Sequence, residues 1–304
     1  MGRLMKSFFF KLSRDVTFRV TLIIGVVLAL AINLLLFALQ SYLANELGEG
    51  FEGIKFISGQ GMLITSMSPI QNFGIVIPIN LIIFTCLEFS QGTIRNKIIA
   101  GNSKLTIYSS LLLTGLVFAL SLLAVYILLC TGLGAIFGGF NLNDRVFSGL
   151  TGSRLTAEYL IKMSIICLVT YTCIVSVTIF FAALFRSIGP CIPVILILLF
   201  GCYYIVTIIQ TVALFLEESQ SEVVLNVLRI VDPLYAIASN EVGYKYLVDG
   251  AGNYVLDDYG EKIVVDTFSK MNDVTFYGGI ANNLIYGGLF FMGGALIFTK
   301  RDIK

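Results

Sequence analysis

No histidine occurs among the 304 residues. That removes Ser-His and Cys-His nucleophilic catalysis, histidine-ligated zinc and most general acid–base schemes together. The six cysteines, Cys86, Cys130, Cys167, Cys173, Cys191 and Cys202, all fall inside apolar runs. None has the paired, loop-borne spacing of a disulfide or zinc framework, so they read as small packing residues. There is no G-x-x-x-x-G-K-[ST] string to cradle nucleotide phosphates, and no pair of aspartates inside an apolar run to share a proton. The apolar runs are nearly devoid of ionisable groups, and Glu88, at the end of one run, is the group that stands out. The sequence therefore predicts a chain without a catalytic centre, cofactor or metal of its own.

What chemistry remains is recognition. The stretch from Glu88 to Tyr108 joins two apolar runs and is longer than a hairpin connector needs to be. Ile94, Ile98 and Leu105 offer apolar anchors, and Arg95, Lys97 and Lys104 offer charge. Gly92 and Gly101 bracket a short helix, with Gly101 at a left-handed stop. A rule that merely keeps basic residues on one side of a membrane accounts for the charges but not for Gly92-Thr93 or the apolar face. The expectation is a docking element for a soluble partner. A second group is Tyr203, Thr207 and Gln210, spaced four and three apart and hence on one helix face, with Asn80 on an earlier run. Four of the five prolines, Pro69, Pro78, Pro190 and Pro193, fall in or at the start of these two runs, where they would kink them. Such polar residues either line a path or hydrogen-bond between helices.

The elements that must position these residues follow from composition. Apolar residues make up 57% of the chain, charged residues 13%, and mean hydropathy is +0.90; a soluble domain carries about twice that charged fraction. Six runs are long enough to cross a bilayer: 18–39, 70–89, 109–137, 160–185, 188–216 and 280–299. An acidic, Gly-rich loop precedes the second, and a polar segment, 217–279, precedes the last. With both ends on the cytoplasmic side, the inner pieces hold 12 of the 20 basic residues against three acids, Asp15, Glu88 and Asp302. That satisfies the positive-inside rule, and the reverse orientation does not. Leu4, Phe8, Leu12 and Val16 recur every fourth residue in 1–17, which predicts an amphipathic helix lying on the inner leaflet; the following run is too long for a cleaved signal peptide. Within 217–279, Val223, Val224, Val227 and Leu228 predict one helix, and Asp232-Pro233 caps a second reaching about Gly243. Tyr244 to Asp249 and Tyr254 to Leu256 flank a turn. The fold class expected is all-α integral membrane, with six spans, an interfacial helix and a small extracellular segment before the last span. No basic surface patch suggests nucleic acid.

The string from Glu88 to Lys104, closing on Ile107-Tyr108, resembles the first cytoplasmic loop of the ABC-2 type permeases, the membrane subunits of bacterial ATP-binding-cassette exporters. Ala183-Leu184-Phe185-Arg186-Ser187 is similar to that family's tight turn between its fourth and fifth spans, and Phe298 to Lys304 to its basic terminus. The resemblance covers the whole chain as one transmembrane domain and implies a multi-pass protein of the bacterial plasma membrane. It implies a partner permease chain, identical or different, and two copies of an ATP-binding subunit that would hold ATP and magnesium. Glu88, Gly92, Thr93, Ile94, Arg95, Lys97, Ile98, Gly101 and Lys104 would couple the chain to that subunit. The second and fifth spans would face the central pathway, with Asn80, Tyr203, Thr207 and Gln210 along it. An antimicrobial peptide or a hydrophobic drug is the expected cargo. The alternative is a membrane scaffold or sensor without transport.

Overall fold

The computed structural model describes residues 2–14, 16–47, 54–55, 57–68, 75–140, 145–148, 151–213, 215, 218–238, 241–248, 254–255 and 262–301. The helices are α1 (Gly2–Arg14), α2 (Val16–Leu47), α3 (Gly59–Met67), α4 (Val76–Ser90), α5 (Thr93–Ile99), α6 (Lys104–Gly138), α7 (Ala157–Phe185), α8 (Ile188–Ala213), α9 (Glu218–Val231), α10 (Tyr235–Ala238) and α11 (Asp273–Lys300). The strands are β1 (Ile54–Lys55), β2 (Arg145–Ser148), β3 (Thr151–Leu155), β4 (Glu241–Tyr246) and β5 (Val264–Lys270).

Five helices are long and apolar enough to cross a membrane: α2, α6, α7, α8 and α11. They start and stop where capping chemistry allows. Ser103, Thr156 and Asn272 each accept a backbone N–H of the first turn of α6, α7 and α11, so these helices begin three to seven residues before the apolar runs do. The bundle's outer surface is apolar, with Ile23, Val27 and Leu35 of α2 and Ile197 and Ile208 of α8 all exposed. Water would penalise such a surface at about 25 cal/mol per Å², and the arrangement is that of a multi-pass membrane protein.

The second apolar run departs from a single helix. α4 covers only its later part, Pro78 lies in the first turn, and 70–74 lies outside the described residues, as does Pro69. A proline there removes an N–H that has no helical partner anyway, so Pro78 breaks no hydrogen bond of α4, and the same holds for Pro190 in the first turn of α8. Pro193 alone of these sits inside its helix. The segment expected to be a loop before this run contains the buried helix α3 instead. It packs along α6, where Gly134 and Gly138, a G-x-x-x-G pair, admit the backbone of Ile57 and Ser58 and the side chain of Met62. Cys167 of α7 closes the far end of α3 on the Met67 carbonyl at 3.5 Å.

A glycine stripe does the same for α7 and α11: Gly287 lies against Cys173, and Gly294 under the Tyr108 ring of α6. The connectors segregate to two ends. One end carries α1, α5, Arg186 and Arg301, tied by Lys104 Nζ donating to the Thr299 carbonyl at 3.0 Å and by Arg301 donating to the Leu184 carbonyl at 2.6 Å. The other carries a five-stranded sheet in the order β1-β2-β3-β5-β4, so the chain is predominantly helical rather than all-α. α9 forms where the valine spacing puts it. The Asp232 side chain caps Leu234 N at 2.8 Å as expected, but the following helix, α10, stops at Ala238 and the chain continues as β4. The expected turn is framed by a bridge between Val248 and Tyr254, its tip lying outside the described residues.

Candidate functional site: the Glu88 elbow

α4 and α5 meet at 57°, with Gln91 and Gly92 between them. Gly92 takes φ +67°, a left-handed conformation that a side chain would strain, and its carbonyl accepts the first α5 bond from Asn96 at 3.0 Å. The far end closes as a Schellman motif. Gly101 has φ +87°, its N–H bonds the Ile98 carbonyl at 2.9 Å, and Asn102 N–H bonds the Lys97 carbonyl at 3.3 Å. Both glycines thus have the backbone roles expected of them.

The carboxylate of Glu88 is fully buried and holds the elbow in place. Lys11 of α1 reaches Oε1 at 2.6 Å, and Lys97 of α5 reaches Oε2 at 2.9 Å. The Thr93 hydroxyl lies 2.8 Å from Oε2 and 2.8 Å from the Glu88 carbonyl oxygen. Lys11 also donates to Gln91 Oε1 at 2.9 Å. Lys97 lies over the Phe8 ring at 3.2 Å from its centroid, and Phe8 packs edge-on to Phe84. Burial depresses the Lys97 ammonium below the usual lysine range, the Glu88 carboxylate opposes that shift, and Lys11 adds a smaller repulsion. One carboxylate therefore joins three helices through charge-assisted bonds in a dry environment. Of the expected amphipathic stripe, Leu4 and Phe8 are buried in this core, Val16 instead opens α2 and is exposed, and the Leu12 side chain lies outside the described residues.

The faces of α5 are not those the apolar pattern suggests. Ile94 is fully buried in the protein's own core, and Ile98 packs on that core half-buried. Ile94 is thus closed off from the surface, whereas Ile98 keeps part of its side chain exposed. The exposed side is Arg95, Asn96 and Ile99, the last 73% exposed, continued by Leu105 at 50%. Two turns of helix do not reveal which side faces inward until its neighbours are known. Lys104 is spent on the Thr299 and Arg301 carbonyls. Arg186, at φ +52°, lies over the Phe89 ring at 5.5 Å.

Three of the four residues expected along a path have described side chains. Asn80 is buried and donates to the Val76 carbonyl of its own helix at 2.8 Å. Thr207 is exposed and bonds the Tyr203 carbonyl at 3.0 Å, while Tyr203 is half-buried against the core. The Gln210 side chain lies outside the described residues. None of Asn80, Tyr203 and Thr207 lines the apolar cavity of about 340 Å³ that opens between α7, α8 and α11. Lys162, a second ionisable group inside an apolar run, bonds Asp273 at 2.6 Å and Glu158 at 2.7 Å and ties α7 to α11 at the sheet end.

Comparisons with protein-family models, with curated proteins and with solved structures each find no match.

Proposed function

We propose that the chain is the membrane-spanning permease subunit of an ATP-driven exporter, and that the elbow of α4 and α5 receives the stroke of a separate ATP-binding subunit. The observation that carries this reading is the pairing of a rigid elbow with an unpartnered outer face. Glu88 fixes α5 to α4 and α1, while Arg95, Asn96 and Ile99 point away from the bundle. A push on that face is transmitted to α4 and α1 without first bending a loop. The resemblance of Glu88 to Lys104 to the first cytoplasmic loop of ABC-2 permeases supports the same assignment. Six crossings follow if α3 and α4 together form the second, which suits their positions along α6 and α7 and puts both termini and α5 on the cytoplasmic side. ATP and magnesium belong to the partner in this scheme, and a second permease chain completes the pathway.

Ile99→Asp together with Arg95→Glu tests the reading. The double variant should insert and fold normally, and should lose both co-purification with a P-loop ATPase and stimulation of its ATP hydrolysis. Unchanged stimulation would sink the docking role. Normal folding with no ATPase partner for the unaltered chain would favour a scaffold or sensor.

A further inference from the structure

The cavity of about 340 Å³ between α7, α8 and α11 has chemistry that the docking reading does not use. Its walls are apolar, formed by side chains such as Ile174, Val177, Ile195, Leu198 and Phe290. Its polar side chains are Thr178, Asp232, Asn283 and Tyr286, and Asn283 adjoins Asp232 through the Pro233 carbonyl. Asp232 is 7% exposed and receives one backbone N–H, that of Leu234. Asn283 is 1% exposed and donates to the Pro233 carbonyl at 2.8 Å and to the Gly279 carbonyl at 2.9 Å. Those two bonds fix which end of the amide is oxygen. They leave Asn283 Oδ1 without a partner among the described residues. The cavity lining contains no lysine or arginine.

Asn283 Oδ1 has no partner among the described residues, and the Asp232 carboxylate beside it receives one backbone N–H, so this part of the cavity calls for a donor that no described residue supplies, since a buried polar group left unpaired is costly. An ammonium satisfies both, whereas a carboxylate headgroup would be repelled by Asp232. The α8 wall runs from Ile195 to Ile205, a span of about 15 Å at the helical rise. We propose that this cavity binds a cationic amphiphile, an apolar chain carrying an amine, with the ammonium between Asp232 and Asn283 and the chain lying among α7, α8 and α11. The proposal does not depend on the ATPase reading.

The chain contains no tryptophan, so a single introduced one reports cleanly. Leu198→Trp places it on the cavity wall, and Ile136→Trp, on the exposed surface of α6, serves as the bilayer reference. The full chain in phosphatidylcholine nanodiscs is titrated with 12-bromododecylamine, whose bromine quenches tryptophan on contact. Saturable quenching at position 198, relieved by unlabelled dodecylamine and absent at 136, is the expected result. In the Leu198→Trp background, Asp232→Asn should raise the half-saturating concentration tenfold or more, and Val177→Phe should reduce saturable quenching by filling the slot. Equal, non-saturating quenching at 198 and 136 would mean simple partitioning into lipid. Equal binding of 12-bromododecanoate, or an Asp232→Asn variant that folds and binds as before, would likewise overturn the assignment.

Discussion

Glu88 sits where a single carboxylate answers two ammonium groups, so its removal acts on α1 and α5 at once. A buried ion pair is weak evidence of net stability, but losing one partner strands the other. Glu88→Gln is therefore expected to lower stability by about 3 kcal/mol, chiefly through Lys97, whose side chain is only 16% exposed. Lys11→Ala should cost less, because its side chain is 38% exposed and water screens it. Thermal unfolding in nanodiscs measures both. Additive effects in the Glu88→Gln, Lys97→Ala pair would contradict the shared network. Asp232 makes a prediction of opposite sign. Burial pushes its carboxyl up to about 6, against about 3.9 in an unfolded chain. Between those values the folded protein keeps the proton and the unfolded chain releases it, so stability falls as pH rises through that window. Above it the ionised carboxylate costs the fold about 3 kcal/mol. Asp232→Asn should accordingly raise the unfolding midpoint at pH 7.5, with the gap closing near pH 4. Equal midpoints at pH 7.5 would show that the carboxylate is compensated in the fold.

α3 and α5 are the elements where local pattern and tertiary context part company. The five long helices are legible because each buries or exposes a continuous apolar run, and only their ends shift, pulled outward by caps at Ser103, Thr156 and Asn272. α3 is not legible. Ser58-Gly59-Gln60-Gly61 reads as loop, and the helix owes its place to the hollow that Gly134 and Gly138 leave on α6. Gly138→Ala would drive a Cβ into the Ile57 carbonyl, a backbone atom that cannot swing aside. It should lower the unfolding midpoint by several degrees, whereas Gly132→Ala, with open space at its Cβ, should leave the midpoint unchanged or raise it. The sheet is hidden for a related reason: β1 pairs with β2 and β3 with β5 across about ninety residues or more, and no local signal specifies such distant pairing. In α5 the apolar residues split between two faces, Ile94 buried and Ile99 exposed. Ile94→Asp should destabilise the bundle by several kcal/mol, since it buries a lone charge. Ile99→Asp should leave thermal stability within about 0.5 kcal/mol. If the two variants unfolded alike, the assignment of inner and outer faces would be wrong.

At the scale of the molecule, Lys104 and Arg301 tie one end of the bundle and the sheet forms at the other; in the proposed function the first end is cytoplasmic and the second lies across the membrane. Single cysteines at Asn96 and Val248, in a background cleared of the native thiols, address that division. An impermeant thiol reagent on intact cells should label position 248 and spare 96 until the membrane is opened, and the reverse pattern would invert the topology. The buried position of Ile94 and the exposure of Ile99 also decide where to look for the partner. A photo-crosslinking side chain placed at Ile99, activated in native membranes, tests the central claim most directly. The expected adduct joins this chain to a protein that contains a G-x-x-x-x-G-K-[ST] string and hydrolyses ATP, and it should vanish when Arg95→Glu is added. An Ile99 adduct with lipid alone, or one formed equally by a reporter at Val248, would contradict an ATPase seated on α5.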